Sequence, residues 1–263
     1  DTSVSIQGTG GQRVVVPFSA DYTPDGPFTV EFWAHPANND AGNHAAATSM
    51  INGENPGNAD DRSGWCIRHN GLDWQVILGY DYSDGATYYG TTLTAAGTVV
   101  AEDWQHVAAV YSGSAVKLYI DGVEEATASP ALPMLPNFAA PLILGDRGYT
   151  GWGYDGLMDE FAVYTTALSA EEVKSHYDNG KDTGRAQDYA DLILASNPAL
   201  YFRLGEESLT LPVAENSGSL GNAGDGTYYV GSTPGVTGLS APAASGLESD
   251  NVACAFDGVT GFV

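Results

Sequence analysis

Apolar residues recur at every second position through much of this chain, the period of a half-buried strand and not of a helix. In the run Phe28-Thr-Val-Glu-Phe-Trp-Ala34, Phe28, Val30 and Phe32 fall on one face and Thr29, Glu31 and Trp33 on the other. Runs of this kind predict strands near 3–7, 12–18, 27–35, 64–69, 74–80, 87–93, 104–111, 115–120, 123–127, 141–144 and 157–164. Between Val116–Ile120 and Val123–Ala126 stand only Asp121 and Gly122. Asp-Gly there predicts a hairpin, because a type I′ turn needs positive φ at both central residues. Residues 36–63 are polar and predict a long loop with at most one short strand. After Tyr164 the period changes. Ser169 with Glu172 fits a capping box that opens a short helix over 169–178, and Gly180 fits its stop. A second helical turn over 186–195 ends at Asn197-Pro198. A strand over 199–204 follows, with Leu200, Phe202 and Leu204 alternating with Tyr201 and Arg203, and then Gly-rich turns run through 247.

Trp104-Gln-His-Val107 leads into Leu118-Tyr-Ile-Asp-Gly122, and Gly156-Leu-Met-Asp-Glu-Phe-Ala-Val-Tyr164 leads into Ala167-Leu-Ser169. This succession resembles the laminin-G-like, concanavalin A-type jelly-roll family over roughly residues 1–181. The resemblance implies an all-β fold: a two-sheet antiparallel jelly-roll sandwich with a short helix near 169–178. Residues 1–185 would form that domain.

The two ends of the chain look alike. Residues 1–8 read DTSVSIQG and 251–258 read NVACAFDG, so that aligning Gly8 with Gly258 pairs Val4 with Cys254 and Ile6 with Phe256. In the resembled family a segment like Tyr189–Glu206 stands upstream of this opening strand, whereas here it follows the first domain. Residues 186–263 therefore read as the opening of a second, out-of-phase module or as a strand-exchange tail. They hold too few strands to close a sandwich alone. Pairing is expected with an edge of a jelly roll in cis or in trans, with a lean toward another copy.

Charge narrows the partners. Lys+Arg number 9 against 33 Asp+Glu, a net charge of −24. Such a surface repels nucleic-acid phosphates and anionic lipid, and it suits a setting where cations screen self-repulsion. No run is long enough to span a bilayer. The chain opens on a strand with no signal-peptide pattern, which suits a mature secreted chain, an excised module or a chain not exported by that route. Two cysteines, Cys66 and Cys254, do not make a disulfide scaffold; buried thiols in apolar runs and a single bridge both stay open.

Enzymes on the resembled fold, such as laminarinases, carry carboxylates at alternate positions of one strand, so that both face the cleft. No ExDxE or ExDxxE pattern occurs here. Glu124-Glu125 follow a tight turn, Asp159-Glu160 are adjacent and so point oppositely, and His106 reads as a packed core residue. A non-enzymatic role is expected. The resemblance also implies a structural calcium held by Asp159 and the Gln7–Gly8 turn, hard oxygen ligands of the kind calcium takes. Gln7 stands where the family commonly has Asp, which removes a charge. Glu54, Asn58, Asp60 and Asp61 form a further acidic run that reads more simply as a solvated loop. Sugar rings stack on exposed aromatics while neighbouring polar groups fix hydroxyls. Two Gly- and Tyr-rich segments fit that description. One offers Tyr82 and Tyr89; the other offers Asp146, Arg147, Tyr149, Trp152 and Tyr154, and the same rings would equally cap a sandwich edge. The sequence thus points to a lectin-like module of a secreted or surface protein binding a polysaccharide or glycan. The alternative is a structural or adhesive unit (surface array, filament or virion decoration) that self-associates by strand exchange through 186–263.

Overall fold

The computed structural model describes residues 2–6, 13–52, 62–79, 90–131, 133–147, 152–205, 213–228, 232–237 and 252–256. The body of the chain runs β1 (Thr2–Ile6), β2 (Val14–Val16), β3 (Phe28–Pro36), β4 (Asn43–Asn52), β5 (Arg62–Asn70), β6 (Asp73–Gly79) and β7 (Gly90–Ala95). It continues through β8 (Gln105–Tyr111), β9 (Val116–Ile120), β10 (Val123–Ala128), β11 (Leu142–Leu144) and β12 (Gly156–Tyr164). Two helices follow, α1 (Ala170–Lys181) and α2 (Tyr189–Ala195). The last strands are β13 (Leu200–Phe202), β14 (Val213–Ala214), β15 (Gly226–Tyr228), β16 (Ser232–Thr237) and β17 (Val252–Phe256).

Two sheets form the expected antiparallel sandwich. Sheet A has nine strands in the order β10-β9-β8-β3-β12-β1-β17-β16, with β13 also on β12, and sheet B has eight in the order β14-β15-β2-β11-β4-β5-β6-β7. Alternation along β3 assigns its faces as the sequence predicts. Phe28, Val30 and Phe32 enter the main core between the sheets, with Trp65, Trp74, Leu118 and Phe161. Trp33 enters a second cluster with Val173, Tyr189, Ile193 and Tyr201, where α1 and α2 cover the far side of sheet A. Sheet A is therefore buried on both faces where the helices lie, and sheet B is not so covered by any described helix.

Local chemistry explains most elements. Asp121 and Gly122 both have positive φ (52° and 73°), as the I′ hairpin requires. Ser169 accepts from the Glu172 N–H at 3.2 Å, and the Glu172 carboxylate accepts from the Ser169 N–H at 2.7 Å, so the capping box is real.

Three expectations change. The loop expected over 36–63 contains the ten-residue strand β4, paired to β5 on one side and β11 on the other. Its Ala-Ala-Ala-Thr-Ser run has weak β propensity and little alternation, and burial between two neighbours overrides that. Gly180 does not stop α1, which runs on to Lys181. A Cβ there would lie 2.5 Å from the Trp33 ring, so this glycine permits close packing of the helix on the sheet. The strand near 199–204 pairs in cis, not with another copy: Phe202, Tyr201 and Leu200 lie opposite Phe161, Ala162 and Val163. In the same chain β14 and β15 extend sheet B through β2, so residues after 186 contribute to both sheets.

Candidate functional site

Strands β4 to β7 turn alternate residues away from the core. Register places Ala45, Arg68, Gln75 and Thr94 in one row across the outer face of sheet B. Thr48, Cys66, Ile77 and Thr92 form the next row. Ala45, Met50, Cys66 and Ile77 make a small apolar cluster of their own on this face. Along the first row the Arg68 Nε–H donates to Gln75 at 2.9 Å, and the Gln75 amide donates to the Thr94 hydroxyl at 3.3 Å.

The connection from β11 to β12 lies across this face. Gly145 N–H bonds the Ala46 carbonyl at 2.7 Å, Tyr154 N–H bonds Gly145 at 2.9 Å, and Ala45 N–H bonds Trp152 at 2.8 Å. These bonds seat Trp152, half-buried, beside β5. The guanidinium carbons of Arg147 and Arg68 lie over its ring at 4.7 and 5.1 Å from the centroid, a cation–π arrangement. Arg147 also reaches Met50 Sδ at 3.3 Å. Asp146 accepts from the Arg147 N–H at 2.6 Å and lies 3.6 Å from the Arg13 guanidinium. Three of the nine basic residues of a strongly acidic chain thus gather at one place. Beneath them His44 stacks on His69 at 4.5 Å and pairs with Asp40 at 2.8 Å. Burial, then the neighbouring His44 charge, pushes His69 down to about 4, so this imidazole is neutral at ordinary pH.

Of the residues expected to touch sugar, Asp146, Arg147 and Trp152 are brought together. Tyr154 is fully buried, packed edge-on to His69, with its hydroxyl donating to the Leu157 carbonyl at 3.3 Å, and so belongs to the core. Tyr149, Tyr82 and Tyr89 lie outside the described residues, as do Gln7, Gly8 and the acidic run 54–61. Arg68, Gln75 and Thr94 were not anticipated. For two of them the signal was present in strands 64–69 and 74–80, where Arg68 falls on the face opposite Trp65 and Ile67, and Gln75 on the face opposite Trp74 and Val76.

The opposite side of the molecule holds the buried carboxylates. Glu31 is fully buried; it accepts from His176 Nδ1 at 2.8 Å and from the Tyr164 hydroxyl, and it lies 3.2 Å from His106 Nε2. The His106 contact is an ion-pair distance without a well-aligned hydrogen bond. His106 is a buried core residue, as its sequence context implied. Burial alone would push the Glu31 carboxyl up, but the charge and hydrogen bond of His176, with the close His106 ring, outweigh it and hold it below the ordinary range. Asp159 and Glu160 sit at a β-bulge of β12, Glu160 with φ 53°. Glu160 accepts from the Tyr201 hydroxyl and meets Arg203 at 3.3 Å. Asp159 is fully buried and accepts from the Glu160 N–H at 2.8 Å. The β1–β12 ladder ends with Ile6 opposite Gly156, three residues from Asp159, about 10 Å along a strand. Among the described residues no group of three or more His, Cys, Asp or Glu is arranged to hold a metal.

Comparison with known proteins agrees with this architecture. A putative carbohydrate binding protein from Bacteroides ovatus superposes with a TM-score of 0.54 at 18% identity, covering 86% of this chain and 58% of that one. This chain therefore spans less than two thirds of that protein. The CBM40 of Ruminococcus gnavus IT-sialidase, bound to α2,3-sialyllactose, superposes at 0.51 with 16% identity, over 66% of this chain and 96% of that one. The binding domain of Paraclostridial Mosquitocidal Protein 1 does so at 0.53 with 17% identity, over 71% and 45%. At such identities these likenesses speak for the fold alone. No curated protein sequence matches the chain significantly. The sequence profile of the Concanavalin A-like lectin/glucanases superfamily matches residues 8–174, well over half of the chain, and the chain belongs to that superfamily.

Proposed function

We propose that this chain is a non-catalytic, lectin-like carbohydrate-binding module of a secreted or surface protein, with its site on the outer face of sheet B around Trp152. One observation carries the reading. In a chain with 33 acidic residues, Arg68 and Arg147 converge on one half-buried indole beside Gln75 and Thr94. Guanidinium and amide donors beside an aromatic ring suit hydroxyl or carboxylate oxygens of a saccharide. The fold is also that of a putative carbohydrate binding protein and of a sialyllactose-bound CBM40.

The non-catalytic part of the proposal rests on the carboxylates. Glu31 and Glu160 are fully buried and already engaged by His176, Tyr164, Tyr201 and Arg203. A structural calcium belongs to the proposal with Asp159 as the one expected ligand within the described residues, so its remaining oxygens would come from the 7–8 segment. No described helix is long and apolar enough to cross a membrane. A glycan array probed with the chain, with and without calcium, tests the function. Binding to a defined glycan that Arg147→Ala removes is expected; binding to no polysaccharide overturns it. For the ion, thermal melts with and without chelator should differ, and an unchanged midpoint removes calcium from the reading.

A further inference from the structure

Every ladder between strands in the described residues is antiparallel but one. β1 and β17 run parallel, with Thr2, Ser3, Val4, Ser5 and Ile6 opposite Val252, Ala253, Cys254, Ala255 and Phe256. The offset is 250 residues at every position, the same offset that aligns the two similar segments of the sequence. Both strands carry apolar residues at their third and fifth positions, Val4 and Ile6 or Cys254 and Phe256. Small ones stand between, Ser3 and Ser5 or Ala253 and Ala255.

β1 is the strand that meets the body of the sandwich. Val4 lies opposite Met158, a main-core residue, while Ser5 lies opposite Leu157 and Ile6 opposite Gly156. Directly opposed residues share a face. In the β1 position, β17 would therefore set Cys254 against Met158 and Ala255 against Leu157, and it would set Phe256 against Gly156, which has no side chain to collide with it. No reversal is needed. β17 already points the way β1 does and lies one strand spacing, about 4.8 Å, from that position. The chain thus holds two strands of one pattern for a single place on the edge of β12.

We propose that this duplication is an assembly device: β17 of one molecule occupies the β1 position beside β12 in a second copy of the same chain, joining copies head to tail. The partner is a second copy because its β12 edge is matched, residue for residue, to this strand, whereas in its own molecule β1 stands between β17 and that edge. Such a contact is heterologous and extends to chains of molecules unless the rotation closes a ring. It stands independently of the glycan reading.

The full chain carrying Cys66→Ala and Met158→Cys tests it. Within one molecule β1 separates position 158 from Cys254 by two strand spacings, about 10 Å, beyond the Cα separation a disulfide spans. With β17 in a neighbour's β1 position, the two become direct partners. Mild oxidation is expected to give a ladder of disulfide-linked dimers and larger species that adding Ala253→Pro, which removes a ladder N–H from β17, abolishes. A product that stays monomeric, whether uncrosslinked or closed within one chain, overturns the proposal. Should Met158→Cys weaken folding, light scattering on the unaltered chain decides. A mass that rises with concentration and falls to the monomer in Ala253→Pro is expected; a mass independent of concentration overturns the proposal.

Discussion

The outer faces of the two sheets handle charge in opposite ways. On sheet A the carboxylates of Glu31 and Glu160 are sealed beneath α1, α2 and β13, and each is met by internal partners: His176 and Tyr164 for Glu31, Tyr201 and Arg203 for Glu160. On sheet B, Arg68 and Arg147 collect over the half-buried Trp152, next to a polar row that runs out to Thr94 near the sheet edge. The first arrangement is closed and holds helices to a sheet. The second gathers donors of one sign in a chain whose net charge has the other sign. The proposed function places recognition on the second face and stability on the first, and substitutions should separate the two.

The largest effect is expected at Glu31. Glu31→Ala leaves His176 and His106 buried beside an empty site, and breaking a buried pair this way costs about 3–5 kcal/mol. Urea unfolding should show that loss while glycan affinity per folded molecule stays unchanged; a loss below about 1 kcal/mol would mean that water or a neighbour already satisfies the pair. The same network predicts a pH window. The folded Glu31 carboxyl lies below its ordinary value of 4.5, so its contribution is full above that value and is lost as pH falls toward the folded one. Burial pushes His176 down, but the Glu31 carboxylate overrides this and raises it above 6.5, so its contribution is full below 6.5 and lost as pH rises through the raised value. Both are complete between 4.5 and 6.5, so the urea midpoint of the unaltered chain should exceed that of Glu31→Gln most in this window. The buried His69, held down to about 4, lowers both alike as pH falls below 6.5.

A smaller loss is expected where α1 meets the sheet. Gly180→Ala drives a methyl to 2.5 Å from Trp33 Cζ2 and 3.2 Å from the Tyr189 ring, so the helix must shift. Overpacking of this kind costs about 1–3 kcal/mol, read as a lowered melting temperature. If Gly180 were merely a helix stop, alanine in the last turn would be neutral or stabilising.

How far the sequence revealed these faces depends on how far each element is decided locally. The β9–β10 hairpin was legible because Asp121-Gly122 supplies positive φ, and the α1 start was legible because its cap lies within four residues. β4 was hidden because its alanines take their conformation from β5 and β11, both remote in sequence. The same limit hid the role of Gly180, whose contact is with Trp33, and made Tyr154 look like a loop aromatic when its ring lies in the core. At the site, Asp146, Arg147 and Trp152 could be picked out because they share one loop. Arg68, Gln75 and Thr94 come from three strands, and only the register brings them into one row.

The smallest stability effect should accompany the largest effect on binding, at Trp152. The ring is half-buried on a connection, whereas Trp74 is fully buried in the main core. Trp74→Ala removes core volume and should cost about 3–5 kcal/mol. Trp152→Ala removes the surface on which Arg147 and Arg68 lie, and partly exposed cation–π contacts contribute about 0.5–1 kcal/mol each, so the loss should be about 1 kcal/mol. Both guanidinium groups would then lose the ring they share, while keeping their contacts to Gln75 and Met50. Glycan affinity measured on the folded fraction should vanish in Trp152→Ala and persist in Trp74→Ala wherever that variant still folds. A Trp152→Ala loss as large as that of Trp74→Ala, with glycan affinity retained, would reassign Trp152 as a cap on the sheet and move the site elsewhere.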